Sequence, residues 1–154
     1  MKFVADTMLE KLARWLRLIG NDVVYDSYKP LKELVDISNS EERVFLTRRK
    51  SFPESITPVT LYDICSENFD VQMKRVIAQF SLDINAKLFT RCVECNVEVE
   101  KVIDKETVKD RVPQRSWEGF TEFYECPKCK KVFWKGAHII NTMKKLSRIL
   151  DKKI

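Results

Sequence analysis

At 154 residues the chain can form one medium domain or two small ones, and its 44% hydrophobic content supplies a core. Only three glycines and no Walker or dinucleotide fingerprint exclude a glycine-rich phosphate loop, and no apolar run approaches the roughly 20 residues of a membrane span. The net charge of +5 is uneven: residues 1–86 carry 12 basic and 13 acidic side chains, residues 87–154 carry 16 and 10. That basic surplus suits an anionic partner, most often nucleic acid.

The first half reads as alternating strands and helices. A short strand over Lys2 to Ala5 is followed by Asp6 and Thr7, which cap a helix. Its apolar set, Met8, Leu9, Leu12, Trp15, Leu16 and Ile19, recurs at helical spacing. Gly20-Asn21 ends that helix. A second strand, Asp22 to Tyr25, runs into Asp26, and Pro30 opens a helix through Leu34, Val35 and Ile37. Val44 to Thr47 forms a third strand, followed by Arg48-Arg49-Lys50. Pro58 to Ile64 forms a fourth, and Asp70 starts a helix carrying Met73, Val76, Ile77 and Phe80. This alternation predicts an α/β fold with a parallel sheet flanked by helices. Ligands of such sheets bind beyond the carboxyl ends of the strands, where Asp6, Asp26 and Arg48-Arg49-Lys50 fall.

A short linker near Asp83 to Lys87 separates a domain of residues 1–86 from one of residues 87–154. The second contains Cys92-Val-Glu-Cys95 and Cys126-Pro-Lys-Cys129. Two such pairs predict a closed four-thiolate Zn²⁺ site, a structural zinc ribbon. Val97 to Ile103, Phe120 to Glu125 and Val132 to Trp134 read as its strands. Ala137 to Leu150 reads as a final helix. Its face of Ile139, Ile140, Met143, Leu146 and Leu150 docks on the chain's own core, while Lys144, Lys145, Arg148 and Lys152 face outward. The fifth cysteine, Cys65, reads as a buried thiol among Leu61, Tyr62 and Ile64. An acid at position 6, before any apolar run, and the unpaired thiol give the expectation of a cytoplasmic protein that meets no membrane.

The stretch Asp6-Thr-Met-Leu-Glu-Lys-Leu-Ala-Arg-Trp-Leu-Arg17-Leu-Ile-Gly20 resembles the PIN-like ribonuclease family with a C-terminal zinc ribbon, the C-terminal RNase domain of the "Mut-seven" exonuclease. Leu46-Thr47-Arg48, Arg91-Cys92-x-x-Cys95-Asn96, Cys126-x-x-Cys129 and Trp134-x-Gly136-x-His138 match in the same order. The resemblance implies a PIN-like fold and RNA cleavage by one or two Mg²⁺ or Mn²⁺ ions held by acids at the strand ends. Asp6 keeps the family's first acid. Its Thr-Arg-Asp is Thr47-Arg48-Arg49 here, and Leu31-Lys32 precede Glu33 where an acid opens the second helix.

Arginine in place of a metal ligand favours an RNA-binding protein with a degenerate metal site. Arg48, Arg49 and Lys50 would meet phosphate directly. Arg14, Arg17 and His138 are further candidate RNA contacts through the resemblance. The alternative is an active divalent-metal ribonuclease using Asp6 with the displaced acids Asp26 and Glu33, and Asp36 beyond them. A third reading is a structural factor docked on the ribosome or another large ribonucleoprotein.

Overall fold

In the computed structural model, which describes residues 1–151, four strands form one parallel sheet. They are β1 (Lys2–Ala5), β2 (Asp22–Val24), β3 (Val44–Thr47) and β4 (Leu61–Asp63), in the order β2-β1-β3-β4. The central strands are buried on both faces, as a helix-covered parallel sheet requires. Alternation then divides the core. Phe3 and Ala5 face one layer, with Leu46; Val4 faces the other, with Phe45.

Helix α2 (Leu31–Ser40) covers the second face with Leu34 and Val35. The first face is covered by α1 (Glu10–Leu18), α3 (Phe69–Gln79) and the last helix, α5 (Ala137–Leu150, in a numbering that leaves α4 for the ribbon). Leu146 and Ile149 of α5 are buried with Leu12, Leu16, Met73 and Val76. The closing helix of the second half therefore completes the core of the first, but not with the whole predicted stripe: Ile140 is exposed, Ile149 is buried in its stead, and Lys145 lies over the Trp15 and Phe69 rings instead of facing outward. Lys152 lies outside the described residues.

The crossing from one half to the other is made at the end of α1. Gly20 has φ +84°, and a Cβ there would collide with the Lys87 backbone. Beside it, Phe89 N–H donates to the Leu18 carbonyl at 2.8 Å.

The ribbon sheet is smaller than the alternation predicts. Strands β5 (Glu100–Lys101), β6 (Tyr124–Glu125) and β7 (Val132–Phe133) pair antiparallel in the order β5-β6-β7. Between β5 and β6 lie a 3₁₀ segment, Lys105–Arg111, capped by Asp104, and α4 (Gln114–Gly119). They close a third core of Val108, Val112 and Phe123 with Trp117 and Trp134. Lys105 and Lys109 sit 4.3 and 4.6 Å over the Trp117 ring. Cys65 is a correction: it is exposed, at φ +51°, in the turn after β4. That turn ends the apolar strand and turns the thiol out of the core.

Candidate nucleic-acid interface and metal centre

Each strand of the parallel sheet delivers a polar residue to its carboxyl edge, and the central pair delivers Asp6 and Arg49. Asp6 follows β1 and caps the 3₁₀ turn Thr7–Leu9, its Oδ1 accepting Thr7 N–H at 2.7 Å. The same carboxylate receives the Thr47 hydroxyl at 2.6 Å and Arg49 Nε at 2.7 Å on Oδ2. A second guanidinium nitrogen of Arg49 donates to Oδ1 at 3.4 Å. Thr47 also accepts the Arg49 backbone N–H at 2.9 Å, so it fixes both partners. The Asp6 side chain is 1% exposed and that of Arg49 35%, so the pair is wet on its arginine side only.

The other candidates have separate partners. Asp26 Oδ1 accepts Tyr28 N–H at 2.9 Å, closing its own turn. Glu33 pairs with Lys29 at 2.9 Å, and Asp36 with Lys32 at 2.6 Å. Arg48 reaches Glu67 at 3.0 Å, and Lys50 stands 3.9 Å from Asp63. A hard divalent ion needs a shell of several oxygens. Among the described residues, the four ribbon cysteines form the only group of three or more His, Cys, Asp or Glu whose ligand atoms converge.

The cysteines do converge. The sulfurs of Cys92, Cys95, Cys126 and Cys129 all lie within 4.8 Å of one another. A tetrahedron with metal–sulfur bonds near 2.3 Å places its sulfurs about 3.8 Å apart, and Cys92 and Cys129 Sγ are separated by 3.8 Å. Two matching knuckles make the site. Asn96 N–H donates to the Cys92 carbonyl at 2.9 Å, and Lys130 N–H to the Cys126 carbonyl at 3.0 Å. Both closing residues are left-handed, at φ +59° and +62°. Burial raises the Cys126 thiol, but the backbone N–H groups of Cys129 and Lys128 outweigh it and bring it to about 7. Burial pushes Cys95 up to about 12. Such a quartet can hold one tetrahedral metal ion and leaves no open coordination position.

The first knuckle is bolted to the parallel sheet. Arg17 is buried and donates from Nε to the Val23 carbonyl at 2.9 Å and from Nη1 to the Val93 and Glu94 carbonyls at 2.8 and 2.9 Å. Burial lowers its pKa from the ordinary arginine value. The Asn96 amide donates to Asp22 Oδ1 at 2.6 Å and accepts Val23 N–H at 2.9 Å. Arg14 forks onto Glu94 at 2.7 and 3.0 Å. Of the residues expected at RNA, Arg17 thus faces the protein interior, while Arg49 and Lys50 stand at the carboxyl edge. His138 is exposed at the start of α5, edge-on to Trp134 at 6.0 Å.

Thr47, Asn96 and Tyr28 were not singled out by sequence reasoning. Thr47 and Asn96 lie inside the quoted landmarks, which was the available signal. Tyr28, 95% exposed beside Asp26, carried none.

The family model described as the Mut7-C RNAse domain matches residues 1–146. The chain belongs to that family. It is also similar to a Homo sapiens protein described as "Exonuclease mut-7 homolog", 27% identical over 114 residues. That match covers 70% of this chain and 13% of the human protein, so the chain spans a small part of its relative's length. No solved structure matches it significantly. Membership in the Mut7-C RNAse domain family gives the chain a nuclease-like or RNA-related role.

Proposed function

We propose that this member of the Mut7-C RNAse domain family binds RNA without divalent-metal cleavage, and that a zinc ion in its cysteine quartet is structural. The observation that carries the reading is the Asp6–Arg49 pair: a guanidinium occupies the carboxylate where a metal would sit. A cation fixed by protein repels a second one and shields the lone pairs a metal needs. Held by Asp6 on one edge, Arg49 keeps its exposed side for a phosphate oxygen, a geometry that guanidinium suits better than ammonium. Arg48 and Lys50 flank it with exchangeable surface partners, Glu67 and Asp63. The basic surplus of residues 87–154 adds longer-range attraction for the same polyanion.

The test incubates zinc-loaded protein with labelled single-stranded and structured RNAs in Mg²⁺, Mn²⁺ or EDTA. Binding is expected to weaken steeply with salt, by a slope of about 0.7 per neutralised phosphate on single strands. Cleavage is expected to be absent in every metal. Arg49→Glu should weaken binding, and Arg49→Asp should confer measurable Mn²⁺ affinity by restoring the missing acid. Cleavage abolished both by EDTA and by Asp6→Asn would overturn the reading and establish the ribonuclease instead. Absence of both cleavage and salt-sensitive binding would leave the structural-factor reading.

A further inference from the structure

A cavity of about 400 Å³ lies where the end of α1, the linker, the ribbon and the start of α5 meet. Asp6 stands at the opposite end of α1, on the order of 15 Å away along the helix at 1.5 Å per residue. The cavity is therefore separate from the carboxyl edge. Its volume falls in the roughly 300–1,000 Å³ range of small-ligand sites.

The walls have a definite chemistry. Phe89, Tyr124, Phe133 and Trp134 line the cavity, and Arg91, Lys135 and His138 supply its polar groups. No Asp or Glu lines it, in a chain with 23 acids. Arg91 donates to Glu98 at 3.3 Å and also to the Asn96 carbonyl, yet its Nε is buried with no partner. Lys135 is exposed and makes no ion pair among the described residues, acting on Glu122 only at longer range.

Two backbone features hold the aromatic wall in place. Gly136 has no side chain where a Cβ would come within 2.9 Å of Trp134 Nε1 and 3.5 Å of His138 Nδ1. The Trp134-x-Gly136-x-His138 spacing thus lets both rings stand on one wall. Phe89 holds φ +60°, an unfavourable conformation for a bulky residue, fixed by its N–H bond to the Leu18 carbonyl. Trp134 also packs on the ribbon core, but Phe89 lies outside it.

We infer that this cavity is a second RNA site, which accepts an unpaired nucleobase among its aromatic rings and places the attached phosphate against Lys135 and Arg91. Flat π-faced ligands match aromatic walls without sequence preference. Lys135, and Arg91 beside its partner Glu98, match the phosphate that every nucleotide carries. The inference rests on the RNA reading for its biological ligand, but mononucleotides test it independently of the carboxyl edge.

The experiment titrates ¹⁵N-labelled, zinc-loaded full chain with nucleosides and nucleoside 5′-monophosphates. Saturable shifts are expected at the Trp134 indole N–H and the Phe89 amide, with little base preference. Thr142→Phe, which projects a ring from a lining position of α5, should lower apparent affinity for both ligand sets by roughly tenfold, the loss of one stacked base. Lys135→Ala, at an exposed position, should weaken nucleotides and leave nucleosides unchanged. Absence of shifts at Trp134 and Phe89, or shifts that survive Thr142→Phe in a folded protein, would overturn the inference. Equal loss for nucleosides and nucleotides in Lys135→Ala would overturn the phosphate assignment. If intact RNA fails to bind while mononucleotides shift Trp134, the RNA reading fails and the cavity assignment stands.

Discussion

At the scale of single residues, Thr47 and Arg49 act on one buried carboxylate, and their removal should differ in kind. Thr47→Val keeps the shape but deletes the 2.6 Å bond to Asp6 and the acceptor for Arg49 N–H. A charged acceptor and a backbone donor each lose a partner, so the expected cost is about 1–3 kcal/mol. Arg49→Ala removes the countercharge. A fully buried pair broken this way costs about 3–5 kcal/mol, but water can replace a side chain that is 35% exposed. Roughly 1–2 kcal/mol is expected. Urea unfolding of both variants decides it. An Arg49→Ala protein as stable as wild type would mean that Asp6 does not depend on the pair, and the argument that arginine displaces a metal would lose its basis.

At the scale of elements, the test falls on Arg17. It ties α1 to β2 and to the first cysteine knuckle, reaching carbonyls 76 and 77 residues away. Lysine has one ammonium and cannot span them, so Arg17→Lys should cost roughly 2–3 kcal/mol and weaken metal retention. It should leave the salt slope of RNA binding unchanged; a reduced slope would return Arg17 to the list of phosphate contacts. Gly20→Ala should also destabilise, by at least about 2 kcal/mol, because positive φ and the Lys87 backbone both oppose a side chain. Thermal melts give that value directly, and a wild-type Tm would contradict the packing at this crossing. These two residues stand on either side of what was legible in the sequence: Gly20 announces the end of α1, and Arg17 does not announce its partners. Strands β1 to β4 carry short apolar runs and helices α1, α2, α3 and α5 helical apolar patterns, and the CxxC pairs announce their knuckles. The 3₁₀ segment Lys105–Arg111 and the six-residue α4 are too short for a periodic signal. The inward turn of Arg17 was equally hidden, because two of its three acceptors are backbone carbonyls of a distant loop. Cys65 misled because its apolar neighbours in sequence end one residue before the chain turns outward.

At the scale of the whole molecule, the two halves are coupled by the metal knuckle on one side and α5 on the other. Chelation should therefore act unequally. Metal–thiolate bonds would supply folding free energy to a ribbon whose strands have two residues each, whereas β1 and β3 are buried in cores that the ribbon strands do not enter. Hydrogen exchange after chelation should show lost protection over residues 91–134 and retained, if reduced, protection in β1 and β3. Uniform loss throughout would show that the sheet cannot stand without the ribbon. Acid tests the same junction from the other side. Burial raises Asp22, but hydrogen bonds from Arg43 and Asn96 outweigh it and hold its pKa below the usual carboxylate value. Glu94 is also lowered, first by the Arg14 hydrogen bond and further by Lys131. A carboxylate lowered in the folded state contributes stability that is complete above its unfolded pKa of about 3.9 for Asp or 4.3 for Glu. That contribution is lost as pH falls through the folded value. Stability should therefore decline below about pH 4 on this account. Protonation of the thiolates also releases metal in acid, so the difference between variants is the informative quantity. Asp22→Asn should be less stable than wild type at neutral pH, where it forfeits the charge-assisted bonds to Arg43 at 2.8 and 3.1 Å. The gap should close as acid neutralises Asp22 in the wild type. Chemical unfolding of both proteins from about pH 6 down to about pH 3 measures the gap. Curves that stay parallel across that range would exclude Asp22 as a source of the acid sensitivity and leave metal loss as its cause.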